Sequence, residues 1–157
     1  MGWLTLISTL SGGVLGVGST LVVEAVRTKR DQRLRHAELR RTTYVRYLTA
    51  LTEAETALQT LALSRPTPVP SGEVVEAFRS TGVIAARYEL FLVAPADVYD
   101  AAREAYDLLR ALRVAIATTN VEVGDASVEW RALHTPYDTA LRHLRAAMRN
   151  SLGPSFE

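Results

Sequence analysis

The chain has 157 residues, 48% hydrophobic and 22% charged, which supports one globular core and argues against a disordered chain. It contains no cysteine, which excludes disulfides, cysteine-ligated zinc and thiol catalysis. Eighteen Lys and Arg against seventeen Asp and Glu give a net charge of +1, but the charge is segregated: residues 24–46 hold eight basic side chains against three acidic ones, and the chain from Tyr47 onward holds ten arginines against fourteen acids.

The first element is the uncharged run Gly2–Val23, GWLTLISTLSGGVLGVGSTLVV. Inside it, Gly13–Thr20 reads G-x-x-x-x-G-S-T, one residue away from the phosphate-binding loop G-x-x-x-x-G-K-[ST]. That loop needs its lysine to neutralise phosphate, and a buried strand to deliver the glycine turn to a helix. Ser19 stands where the lysine belongs, and no later stretch reads as a strand, so a nucleotide site is not expected.

Twenty-two residues in a helix cover ~33 Å at ~1.5 Å per residue, close to the thickness of a bilayer's hydrocarbon core. Trp3 sits where an interfacial anchor belongs, and Arg27, Lys29, Arg30, Arg33 and Arg35 form a basic flank on one side only. The pattern predicts a transmembrane helix over 1–23, a basic juxtamembrane helix over 24–46 and a cytosolic helical bundle over 47–157. Short Lys/Arg-rich flanks stay cytoplasmic, so the N-terminus is expected outside, the C-terminal domain in the cytoplasm, and anionic lipid headgroups against the basic flank. A cleaved signal peptide would start with a positively charged region; this run has no side-chain charge before it and ends LVVEAVR. Ser8, Gly12, Gly16 and Thr20 recur every four residues. Gly12-x-x-x-Gly16 is the spacing that lets two helix backbones approach closely in lipid, which predicts weak homodimerisation.

No Pro or Gly occurs between Glu24 and Ser64, so the first helix is expected to continue into the body. Tyr47, Leu51, Ala54, Leu58 and Leu61 follow the 4-3-4-3 spacing of a buried seam. RPTPVPSG, Arg65–Gly72, ends that helix. A second helix is expected from Glu73, with an apolar face of Val74, Phe78, Ala85, Tyr88 and Leu92. A third begins at Pro95, carrying a heptad of Val98, Ala102, Ala105, Leu109, Leu112 and Ile116, with Asp97, Asp100, Glu104 and Asp107 on the opposite face. TTNVEVGDAS, Thr118–Ser127, breaks the pattern. A fourth helix follows with Trp130, Leu133, Tyr137, Leu141, Leu144 and Met148, and Pro136 either kinks it or marks a new start capped by Thr135. The fold class expected is all-α: an N-terminal transmembrane helix continuing into an antiparallel four-helix bundle.

Catalytic chemistry is not legible. His134 and Asp138 share a helical spacing, but two ligands do not make a metal site. The Glu-x-x-His pairs of di-iron bundles are absent, and no Ser lies in a nucleophile-elbow context. No cofactor, metal or nucleic acid is expected. The basic segment is assigned to topology and lipid contact because it directly follows the apolar run.

The stretches VEAVRTKRDQRLRHAELRRTTYVRYLTAL, LFLVAPADVYDAAREA and RAAMRNSLG, set behind a glycine-rich apolar start, resemble those of small membrane-anchored helical proteins of actinobacteria whose activity is unassigned. The resemblance implies the anchor-plus-bundle layout and carries no site residues. The function expected is a non-enzymatic interaction or regulatory module with an unidentified protein partner. The alternatives are a soluble bundle with a partner-binding N-terminal helix, or a helical enzyme with an inter-helix pocket where Arg87, Glu89 or Tyr106 converge.

Overall fold

The computed structural model describes the backbone of residues 3–65, 68–124 and 127–153, and side chains at residue 32 and from residue 34 onward within those ranges. Among the described residues the secondary structure is five helices and no strand: α1 (Trp3–Ser64), α2 (Ser71–Ser80), α3 (Val83–Val93), α4 (Ala96–Thr118) and α5 (Val128–Leu152). The chain divides into two compact units, residues 1–38 and residues 39–157. The first is a stretch of α1. The second holds the rest of α1 and the other four helices.

Helix ends follow from local chemistry. α1 stops at Ser64, whose hydroxyl donates to the Leu61 carbonyl, just before the proline-rich turn. Val69, just before α2, is buried and its N–H donates to the Ile116 carbonyl of α4 at 3.0 Å. Proline precedes both α2 and α4, as Pro70 and Pro95, and the carbonyl of each accepts the first helical N–H groups. A proline suits that position because no N–H is required of it. α5 begins at a serine cap, with Ser127 Oγ accepting from the Trp130 N–H at 3.2 Å. Pro136 neither ends nor restarts α5, which runs through it. The bond it cannot donate falls on the Ala132 carbonyl, and both residues are exposed, so water can serve that oxygen.

The expected single second helix is a helix–turn–helix pair instead. Ser80 and Thr81 turn their hydroxyls back onto the Ala77 and Phe78 carbonyls, and Gly82 takes φ +70°, the left-handed region. The break changes the buried face. Val83, Ala86 and Leu90 enter the core, each two positions before the expected Ala85, Tyr88 and Leu92, which are exposed. Two residues in a helix are ~200° at 3.6 residues per turn, so the slip exchanges inside for outside.

The remaining helices bury what their spacing requires. Tyr47, Leu51, Ala54 and Leu58 are fully buried on α1, and Leu61 packs partly against them. Burial of α1 begins a turn earlier than Tyr47, at Thr43 and Tyr44. All six heptad residues of α4 are fully buried, and Asp97, Asp100, Glu104 and Asp107 are all exposed. α4 packs along α5 and against α2. α1 and α5 are antiparallel, because three polar contacts tie rising positions on one to falling positions on the other. Tyr44 Oη meets Ser151 Oγ at 2.9 Å, Tyr137 Oη donates to the Leu51 carbonyl at 3.4 Å, and His134 meets Glu55. Tyr47 Oη donates to the Ala102 carbonyl of α4 at 3.1 Å, the corresponding tie on the other side.

The side chains of Ser8, Gly12, Gly16, Thr20, Arg27, Lys29, Arg30 and Arg33 lie outside the described residues; Arg35 is described and exposed. Among the described residues no helix is long and apolar enough to cross a membrane, and the side chains of the run 2–23 that carries the membrane expectation are not among them.

Candidate functional site

Most polar groups inside the bundle have structural work, Arg87 Nε being buried without a hydrogen-bond partner. His134 bonds to Glu55, stacks on Trp130 with ring centroids 5.3 Å apart and meets the edge of Tyr137. Asp138 pairs with Arg142 at 2.9 Å, so His134 and Asp138 face different partners. Among the described residues no group of three or more His, Asp or Glu could hold a metal ion. Of Arg87, Glu89 and Tyr106, the first and last meet and Glu89 does not join them. The Arg87 guanidinium lies between the rings of Tyr106, at 4.3 Å from its centroid, and Phe91, at 4.9 Å. Glu89 turns away to Arg46, at 2.7 Å, across a cleft of about 410 Å³ between α1 and α3. That cleft is bridged by its own ion pair.

One surface feature lacks such internal pairing. Between the 41–48 stretch of α1 and the last turns of α5 lies an open groove of about 570 Å³. Its floor is apolar: the Tyr44 ring, Val45, Leu48, Met148 and Leu152. Val45 is 60% exposed and Leu152 38% exposed, a high value for large apolar side chains beside a well-filled core. Its rim is Arg41 on α1 and Arg142, Arg145 and Arg149 on α5, all exposed. Arg142, Arg145 and Arg149 stand at i, i+3 and i+7, which places them on one helical face over ~10 Å. No carboxylate lines the groove. Asp138 engages Arg142 from outside it, and no described carboxylate pairs with Arg41, Arg145 or Arg149.

The one hydroxyl in the lining is already used. Ser151 Oγ donates to the Met148 carbonyl, so it receives the Tyr44 hydroxyl hydrogen, and Tyr44 presents its ring to the groove. The hydrogen-bond donors left in the lining are therefore the guanidinium groups, set over apolar surface. Such a surface suits an anion carried on an apolar body.

None of the four rim arginines was expected as a site from the sequence. The signal was half present in LRHLRAAMRN, where three of them repeat at helical spacing. Arg41 joins them only through the α1–α5 register. The fold and groove together define an all-α helical bundle with a cationic, apolar-floored groove. No protein-family model, curated protein or solved structure matches the chain.

Proposed function

We propose that the protein is a single-pass membrane-anchored interaction module, with residues 2–23 as the anchor, the N-terminus outside and the helical bundle in the cytoplasm. The observation that carries this reading is the uncharged 22-residue run followed by Arg27, Lys29, Arg30, Arg33 and Arg35. The bundle is consistent with a binding role: its buried tyrosines and its His–Glu pair hold helices together, and its unpaired cations face outward around the groove. The groove is the docking face of the module, and the reading assigns it no catalysis.

The basic flank meets anionic headgroups at ~1 kcal/mol per residue near the surface. The Ser8, Gly12, Gly16, Thr20 stripe supports weak parallel association of two anchors. Membrane fractionation of cells expressing the full chain tests the anchor. The protein should resist high salt and alkaline wash and leave the membrane only with detergent; recovery in the soluble fraction at high salt would overturn the reading. A reporter active only in the cytosol, fused after Glu157, should be active.

A further inference from the structure

We infer that the groove between α1 and α5 binds one single-chain amphiphile with a phosphomonoester head, the apolar tail on the floor and the phosphate among Arg41, Arg145 and Arg149. The inference rests on the groove as a binding face and is independent of whether residues 2–23 span a membrane.

Three observations select this ligand. The first is the sign and pairing of charge. Arg41, Arg145 and Arg149 line the groove with no described carboxylate on any of them, while Arg142 is shared with Asp138 at 2.9 Å. A phosphomonoester carries roughly −1.5 to −2 charges at neutral pH, and guanidinium groups grip phosphate oxygens in bidentate pairs. The second is the direction of hydrogen bonding. The donors that line the groove are its guanidinium groups, because the Tyr44 hydrogen is spent on Ser151. A phosphate offers acceptors alone and matches them. The third is size. The groove of about 570 Å³ has the extent of a site for one small ligand. The volume also falls within the 300–1,000 Å³ range typical of small-ligand sites.

The division of the groove supports an amphiphile over a simple anion. Exposed Val45 and Leu152 gain nothing from inorganic phosphate, whereas covering them with an alkyl chain removes apolar area from water.

Native mass spectrometry of the full chain, released from maltoside micelles, tests the inference. Lysophosphatidate should give a one-to-one adduct. Lysophosphatidylcholine, with the same chain and a zwitterionic head, and inorganic phosphate should each bind at least about tenfold more weakly. Arg145→Glu/Arg149→Glu should abolish the lysophosphatidate adduct, and Val45→Asp should weaken it about tenfold or more, with circular dichroism showing the helices intact. Arg27→Ala/Lys29→Ala/Arg30→Ala should leave it unchanged, which separates the groove from the basic flank. Arg110→Glu, on exposed α4 surface, should also leave it unchanged.

An adduct that survives Arg145→Glu/Arg149→Glu would overturn the site. Equal binding of lysophosphatidylcholine or of inorganic phosphate would overturn the ligand class. Phosphatidate vesicles captured through these arginines without any lysophosphatidate adduct would put a membrane surface there instead. An acidic amphipathic peptide bound in the same way would put a protein helix there. Either result overturns the proposal, and neither bears on the fractionation result.

Discussion

Glu55 on α1 and His134 on α5 lie 79 positions apart in sequence, yet Oε1 of one and Nε2 of the other are 2.5 Å apart. The same Glu55 oxygen also accepts from Gln59 Nε2 at 3.3 Å, so one carboxylate ties a helical turn to a distant helix. Both side chains are mostly shielded, 17% and 28% exposed, where a polar contact is stronger than on open surface. A double-mutant cycle of Glu55→Ala and His134→Ala, read by urea unfolding at neutral pH, should give a coupling of about 1 kcal/mol. Additive losses would show that the two residues stabilise α1 and α5 separately.

Gly82 and Gly72 should respond oppositely to the same change. A Cβ at either meets nothing within 4 Å, so space does not decide the outcome. Gly82 has φ +70°, which costs an L side chain roughly 1–2 kcal/mol, so Gly82→Ala should lower Tm. Gly72 lies in α2 without positive φ, so Gly72→Ala should gain about 0.5 kcal/mol from helix propensity and lost unfolded-state entropy. Thermal unfolding followed at 222 nm resolves the two directions.

Tyr47 and Tyr137 predict the alkaline limit of the bundle. Burial of each phenol raises its pKa well above the ordinary value near 10, because the phenolate would lose its water; nearby Arg87 opposes this weakly at Tyr47, and Glu55 reinforces it at Tyr137. The folded chain therefore holds these two protons more tightly than the unfolded chain, whose tyrosines ionise near ~10. Stability from this source is complete below pH 10 and falls as pH rises above it. Absorbance at 295 nm should show fewer than the six tyrosines ionising in the folded protein, with the rest appearing on unfolding. Tyr47→Phe/Tyr137→Phe should cost about 1 kcal/mol per lost bond at neutral pH while flattening the alkaline fall.

The glycine stripe carries a prediction of its own. If residues 2–23 associate in lipid as proposed, Gly12→Ile and Gly16→Ile should each reduce the association signal of that segment in a membrane two-hybrid assay, while Val14→Ile should not, because only the first two positions belong to the small-residue stripe. Equal signals at matched expression would leave the glycines without a packing role.

What the sequence revealed depended on how local each signal was. The α4 heptad from Val98 to Ile116 was readable because no residue interrupts its period, and its acidic opposite face followed from the same count. The α2–α3 break was not readable from periodicity. A single glycine after Ser80 and Thr81 is tolerated in many helices, and only the bent-back hydroxyls and the positive φ at Gly82 show that the helix ends there. Tyr88 and Leu92 were therefore placed inside when they are 63% and 85% exposed. The groove and the Glu55–His134 contact depend on the α1–α5 register. That register is set by pairs such as Tyr44 with Ser151, more than a hundred positions apart, which no local period encodes.

That same Tyr44–Ser151 contact fixes how residues 39–157 would respond to force. Because α1 and α5 run antiparallel and Tyr44 meets the last turn of α5, Leu39 and Gly153 emerge from one end of this unit. Tension applied between those two points would not shear the helices along their length. It would open them like a zip, loading the Tyr44–Ser151 contact first, then Tyr47 on Ala102, then Tyr137 on Leu51, then His134 on Glu55. A load borne between residue 39 and residue 153 would therefore peel the groove apart before it reached the packing of α4 on α5 beyond Ala102.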